Sequence, residues 1–232
     1  MITTVFFDFD GTLADSAPDL AHAANLQRQY RGMPPMAYEL LRCVASQGAR
    51  GLLRVALGLT PEDEEYEPTR KQFLSDYRAC MTQNTALFPG IDDLFGRIEG
   101  SGLRWGIVTN KAEALSLPMF DHLQLTDRSV ANVCGDTTAF SKPHPAPLLH
   151  AATLAGVDPE TCIYVGDDER DIIAGKAAGM PTVAAAYGYC NNPDEVQAWH
   201  ADQIAQAPED IWDAVEKIKN RRIQGNHETN FV

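Results

Sequence analysis

"VFFDFDGTLADS", Val5 to Ser16, sets an apolar run directly against two carboxylates, Asp8 and Asp10, followed at once by Gly11. Residues two apart on an extended chain point to the same side, so both acids face one way where a strand would end. Two ionised carboxylates that close repel each other and need a cation or a shared proton. Read alone, D-x-D-G is equally a turn or helix-capping pair, and Asp15 reads as support for that turn. A calcium loop of the EF-hand type fails, because Leu13 and Ala14 stand where further oxygen ligands should follow.

Further short apolar runs read as buried parallel strands: residues 2–7, 104–108, 130–134, 162–165 and 182–186. Helical segments lie between the later ones, at 91–99, 112–122, 145–155 and 168–178, with Pro145 at a helix start and Gly156 and Gly179 as C-terminal caps. Strand alternating with helix predicts an α/β fold with a doubly wound parallel sheet. Ligands of such sheets bind beyond the carboxyl ends of the strands. Residues 18–87 break the alternation and read as helix after helix with no convincing strand, at 18–31, 36–45, 49–57 and 68–81. An all-helical insertion after the first strand is therefore expected. The predicted division is a core of 1–16 and 86–220, a helical unit of 17–85, and a polar, loosely ordered tail of 221–232.

The chain has 232 residues and a net charge of −13. Such an acidic surface repels nucleic acid and anionic lipid, so neither is expected as a partner. A phosphorylated metabolite would also be repelled unless a local cation reverses the field. Five cysteines, Cys43, Cys80, Cys134, Cys162 and Cys190, are scattered without a CxxC. They read as reduced thiols and suit a cytoplasmic protein. No apolar stretch reaches the roughly 18 residues of a membrane span, and no signal peptide is expected. Metal binding by His144 and His150 is not expected.

Other strand ends add chemistry. "IVTNK" offers Thr109, with a hydroxyl and a backbone N–H suited to phosphoryl oxygens, and Asn110 and Lys111. A helix starting near Ala112 would add its N-terminus to anion binding. "SKPHP" places Lys142 before a helix, where alone it reads as a surface lysine. "VGDDERD" supplies Asp167, Asp168 and Asp171, which alone read as an acidic helix start.

Together, DxDGTLxDS at Asp8–Ser16, hydrophobic-T-N at Thr109, SKPxP at Lys142 and GDDxxD at Asp167–Asp171 resemble, in order, the four motifs of the haloacid dehalogenase superfamily. The resemblance extends to about residue 218. It implies a Rossmann-like core, and a helical cap like that of the subgroup holding phosphoglycolate phosphatases and β-phosphoglucomutases. It implies a Mg²⁺-dependent phosphatase in which Asp8 is the nucleophile and forms an aspartyl-phosphate. Mg²⁺ ligands would be Asp8, Asp167 and the backbone carbonyl of Asp10. The Asp10 side chain would act as acid and base. Thr109, Asn110 and Lys142 would bind the phosphoryl group. Asp171 would orient Lys142 or a metal-bound water, with Asp168 beside it in an undefined role.

Asp10 favours phosphate-ester chemistry, since related transport ATPases carry threonine there and carbon-attacking dehalogenases lack the second acid. "ASQGARG", Ala45–Gly51, resembles the specificity loop of such caps. There Gly48 permits an unusual turn, and Arg50 is either a ligand for a substrate carboxylate or an exposed helix-start residue. The segment 184–202 is similar to bacterial N-acetylmuramic acid 6-phosphate phosphatases, whose substrate is also a carboxylated phosphate monoester. Signalling receiver domains share Asp, Thr and Lys with these hydrolases, but the helical insertion, the DxDG spacing and the length stand against that class. The expected partner is a small phosphorylated metabolite; monomer and homodimer both stay open.

Overall fold

The apolar run that opens the chain is the central strand of a six-stranded parallel sheet in the computed structural model, which describes residues 1–189 and 192–228. In chain order the elements are β1 (Thr4–Phe7), β2 (Ala14–Asp15), α1 (Ala17–Gln29), α2 (Tyr38–Arg42), α3 (Gly48–Leu57), α4 (Tyr66–Cys80) and β3 (Ala86–Leu87). There follow α5 (Ile91–Gly100), β4 (Arg104–Val108), α6 (Glu113–His122), β5 (Asn132–Val133), α7 (Ala146–Ala155) and β6 (Cys162–Gly166). The chain then forms α8 (Glu169–Ala177), β7 (Thr182–Ala185), α9 (Pro193–Ala198), β8 (Gln203–Ala205) and α10 (Asp210–Glu228). The sheet runs β5-β4-β1-β6-β7-β8. The chain winds outward through β4 and β5, then returns to the other side of β1 for β6, β7 and β8. The order therefore reverses at β1, where an open α/β sheet places its crevice.

Packing explains why β1 reads as an unbroken apolar run. Both of its faces are covered, so alternation has no place. On one face Phe6 joins Val108, Val133, Leu148, Ala152, Tyr164 and Ala174, beneath α7 and α8. Phe6 pairs in register with Gly106, where a Cβ would come within 2.8 Å of its ring, so the small residue makes room for the large one. On the other face Phe7 meets Phe95 of α5 edge-on at 6.1 Å, and Phe95 stacks on Trp105 at 3.9 Å. Gly156 (φ +64°) caps α7 in the left-handed conformation that a glycine adopts at low cost.

The chain divides into two compact units, Ala14–Leu87 on one side and Met1–Leu13 with the chain from Phe88 onward on the other. The first is built from α1, α2, α3 and α4, with α1 packed against α3 and α4. It also contains a ladder unseen in the sequence, where Ala14 and Asp15 of β2 pair antiparallel with Leu87 and Ala86 of β3. Two residues are too few to show an alternating pattern. Asp15 accepts a hydrogen bond from the backbone of Ala17 at the start of α1.

Asp19 is buried in this unit and ties its ends together. Its carboxylate accepts from the backbone and side-chain amides of Asn84 and from the backbone and hydroxyl of Thr85, at 2.8 to 3.2 Å. Asp19→Ala would leave the buried Thr85 donors unpaired and free the exposed Asn84. It is expected to destabilise the protein by about 2–4 kcal/mol, read from denaturant unfolding. A loss under about 0.5 kcal/mol would contradict this assignment.

At the other end, α10 continues through the polar segment from Arg221 as far as Glu228, where a loosely ordered tail was expected. Good helix formers such as Arg221, Arg222 and Gln224 extend an existing helix without needing an apolar stripe. Residues 229–232 lie outside the described residues. Among the described residues no helix is long and apolar enough to cross a membrane. Cys43 is exposed, and Cys80, Cys134 and Cys162 are buried with free thiols. Burial pushes each buried thiol up to about 11, which leaves it a poor nucleophile. Cys190 lies outside the described residues.

Candidate active site

Parallel pairing carries the ends of β1, β4 and β6 to one edge of the sheet. Asp8 follows Phe7, Thr109 follows Val108, and Asp167 follows Gly166. Lys142 enters from the loop before α7 and is almost wholly buried. Its Nζ lies 2.9 Å from Asp8 Oδ1 and 2.7 Å from Asp171 Oδ1. It also donates to the Tyr164 hydroxyl at 2.8 Å and to the Val108 carbonyl at 3.0 Å. Burial works against its charge, but Asp171 and Asp8 outweigh burial and raise its pKa above the usual lysine value. The surface-lysine reading of this position is thereby replaced.

Lys142 is held from its backbone as well. The Asn110 side chain accepts from Lys142 N at 2.9 Å and donates to Lys142 O at 2.9 Å. Asn110, expected to bind substrate, thus has its amide engaged in positioning Lys142. Gly135 keeps this clasp in place, since a Cβ there would sit 2.1 Å from the Asn110 carbonyl oxygen.

Thr109 is also corrected in part. Its backbone N–H donates to Val133 O at 2.9 Å within the sheet, so the hydroxyl is the group left to serve a ligand. That hydroxyl accepts from Lys111 N at 3.1 Å and keeps its own proton to donate. The start of α6, expected to bind an anion, already has one of the chain's own. Asp136 accepts from Glu113 N at 2.8 Å.

Asp8, Asp167 and Asp171 each bring a carboxylate oxygen within 4.8 Å of the others. Asp8 Oδ1 also accepts from Phe9 N at 2.7 Å. Asp167 accepts from Tyr189 N at 3.1 Å and from the Thr12 hydroxyl at 3.3 Å. Burial, then the charges of Asp8 and Asp171, pushes Asp167 well above the usual carboxylate range. Burial likewise raises Asp171, against the opposing pull of Lys142. Backbone without side chains surrounds these acids. A Cβ on Gly11 (φ +82°) would lie 2.1 Å from Asp167, one on Gly188 2.3 Å from it, and one on Gly166 2.3 Å from Asp171. The all-oxygen donor set, the excess of buried negative charge and this close glycine cradle fit a small hard divalent cation.

Asp10 takes a different position. Its carboxylate pairs with Lys111 Nζ at 2.8 Å rather than joining the three acids. Asp168 caps α8, accepting from Arg170 N at 3.0 Å and pairing with the Arg170 guanidinium at 2.7 and 2.9 Å. Burial opposes its charge, but Arg170 outweighs that and holds the carboxyl below its usual range. Asp171 completes the capping box by accepting from Asp168 N at 3.1 Å. Arg50 lies on α3 of the helical unit, exposed.

Sequence reasoning passed over several contributors. Lys111 was in view as the last residue of "IVTNK" but had no role. Tyr164 had a signal, a lone hydroxyl in a buried strand. Thr12, inside DxDGTLxDS, and the Tyr187–Tyr189 turn, inside the segment 184–202, were in view without a role, because they reach Asp167 and Gly11 only through folding. Tyr187 donates to the Thr12 carbonyl at 2.7 Å and holds that turn against the first loop.

A parallel sheet with a strand-end aspartate, a buried lysine and a carboxylate cluster at one edge makes up the site. The chain belongs to the haloacid dehalogenase-like hydrolase family, whose profile matches residues 5–185. It is 43% identical over 209 residues to a phosphoglycolate phosphatase of Xanthomonas campestris pv. campestris, covering 90% of this chain and 94% of that one. It is 38% identical over 216 residues to an N-acetylmuramic acid 6-phosphate phosphatase of Pseudomonas aeruginosa, covering 93% and 96%. The crystal structure of a predicted phosphoglycolate phosphatase from Haemophilus somnus superposes with a TM-score of 0.81 at 26% identity, covering 92% of this chain and 98% of that one.

Proposed function

We propose that the protein hydrolyses a small phosphate monoester through a phosphorylated Asp8, with a phosphoglycolate-like substrate as the first reading. The observation that carries this is Asp8 at the end of β1, its oxygen 2.9 Å from the buried Lys142 ammonium and within 4.8 Å of two further acids.

A free Asp8 oxygen attacks phosphorus as the ester P–O bond breaks, and Asp10 gives a proton to the leaving alcohol. Water then attacks the same phosphorus, Asp10 takes its proton, and the bond to Asp8 breaks to release inorganic phosphate. Lys142 and the Thr109 hydroxyl balance charge on the transferring group. Lys111 holds Asp10 from one side while the leaving oxygen approaches. Asp8, Asp167 and the Asp10 carbonyl would hold Mg²⁺, with Asp171 close by. The ion would neutralise the acids and polarise the phosphoryl oxygens. Asp168 and Arg170 fix the start of α8 and thereby Asp171. The helical unit acts as a cap that selects substrate, with Arg50 as the group for a carboxylate. Free cysteines support a cytoplasmic location.

N-acetylmuramic acid 6-phosphate is the second reading, supported by the similarity to the Pseudomonas aeruginosa enzyme along 93% of this chain. A substrate panel of 2-phosphoglycolate, N-acetylmuramic acid 6-phosphate and uncarboxylated sugar phosphates separates the two, and the same panel on Arg50→Ala tests the carboxylate contact, which both substrates would share. Hydrolysis of none of them would refute the phosphatase reading. Equal effects of Arg50→Ala on carboxylated and uncarboxylated substrates would refute the carboxylate contact.

Metal removal gives a further prediction. Because folding raises the pKa of Asp167, the folded state binds that proton more tightly than the unfolded chain. Its contribution to stability is present at low pH and is lost as pH rises above the ordinary aspartate value of about 4. A cation paired with these acids cancels the loss. Chelation is therefore expected to abolish turnover, and Mg²⁺ to raise the melting temperature more at pH 8 than at pH 5. A shift that is larger at pH 5 would contradict this assignment.

A further inference from the structure

The Lys142 ammonium has three N–H groups and four oxygens around it. Two belong to Asp8 and Asp171, which also serve the proposed reaction, and one to the Val108 carbonyl. The fourth is the Tyr164 hydroxyl, 2.8 Å from Nζ. Tyr164 lies on β6 with its side chain wholly buried. Its hydroxyl donates to the Val108 carbonyl at 2.8 Å, with the Asp171 carboxylate a second and longer acceptor at 3.3 Å, so a lone pair faces the lysine. The ring belongs to the apolar cluster that holds Phe6, Val108, Leu148 and Ala174, while the hydroxyl reaches Lys142, the Val108 carbonyl and Asp171.

We propose that Tyr164 is a positioning residue for the reaction: its hydroxyl, braced on the Val108 carbonyl, sets the depth and direction of the Lys142 ammonium beneath the phosphoryl group. This rests on the role assigned to Lys142 above. Without the hydroxyl, the Val108 carbonyl keeps only the lysine N–H that already reaches it at 3.0 Å, and the ammonium is free to draw closer to it. The ammonium then sinks away from the strand-end edge where the phosphoryl group must lie. Binding of the substrate's remaining groups is untouched by such a shift, whereas stabilisation of the transferring phosphoryl group is weakened.

The test is steady-state and single-turnover kinetics, per folded molecule from circular dichroism melts, on wild type, Tyr164→Phe, Tyr164→Leu and Lys142→Met, and on Lys142→Met combined with Tyr164→Phe. Tyr164→Phe is expected to lower kcat about tenfold, the scale of one hydrogen bond to a charged group, with KM changed less than about twofold. Tyr164→Leu should lower kcat by a similar factor while melting at a clearly lower temperature, because the kinetic loss follows the hydroxyl and the stability loss follows the ring. In the Lys142→Met background, Tyr164→Phe should change kcat less than about twofold, since nothing remains to position. An unchanged kcat in Tyr164→Phe, or the same tenfold loss without Lys142, would overturn the inference. Asp8→Asn, run alongside, separates this from the reaction itself: an active Asp8→Asn enzyme removes the phosphatase mechanism, whereas an inactive one beside a fully active Tyr164→Phe removes only the role of Tyr164.

Discussion

Asp8→Asn is expected to lower kcat by about 10⁴-fold or more on any phosphate ester the enzyme accepts, the scale of losing a covalent nucleophile. Asparagine has nearly the same shape and keeps one carbonyl oxygen to accept from Phe9 N, as Asp8 Oδ1 does at 2.7 Å. The fold is therefore retained while the attacking oxygen loses its charge. The buried cluster also loses one of its negative charges, so the variant should melt no lower than wild type in chelator. The measurement is turnover of a generic ester beside a thermal melt. Acid quench of wild-type enzyme with ³²P-labelled substrate should leave label on the protein, and the variant should carry none. Turnover of Asp8→Asn within tenfold of wild type would remove Asp8 from the reaction.

Lys142→Met is expected to cost both activity and stability. The ammonium meets Asp171 at 2.7 Å and Asp8 at 2.9 Å in a wholly buried site. Methionine fills much of the stem's space but leaves two acids facing each other with no counter-charge. Removing one partner of a buried ion pair costs about 3–5 kcal/mol. Losing one fixed positive group beside the transferring phosphoryl costs about 10²–10³-fold in kcat. The stability loss should shrink at low pH, where the stranded acids bind protons instead. Lys142→Arg should not restore activity, because a flat fork cannot replace a compact ammonium surrounded by four oxygens. Wild-type stability together with kcat within threefold of wild type would contradict this account.

Much of this site was legible in the sequence because its chemistry sits at strand ends, where spacing and side-chain type carry over directly into geometry. Asp8, Thr109 and Asp167 fall into this group, whereas Lys142, on the loop before α7, was legible only through the family resemblance. Asn110 was legible as a position but not as a role, whereas Asp168 was legible as part of an acidic helix start and caps α8. Asn110 turns back to clasp the Lys142 backbone, a choice that depends on a neighbour 32 residues away. The Thr109 N–H was misassigned because pairing of β4 with β5 continues one residue past Val108 and claims it, and pairing partners are set by the sheet order rather than by local pattern. The extension of α10 to Glu228 was missed for a similar reason, since a polar helix shows little apolar periodicity.

Local physics in the sequence determined the strand-helix alternation, the helical insertion after β1, and two aspartates held at a strand end. These depend on apolar runs, glycines and the two-residue period of an extended chain, all of which act over a few residues. Tertiary structure alone decided which charges meet: Lys142 with Asp8 and Asp171, Lys111 with Asp10, and Tyr164 beneath the ammonium. Those contacts join strands far apart in the chain. They depend on the sheet order and on burial, which strengthens a charge pair and penalises a charge left alone.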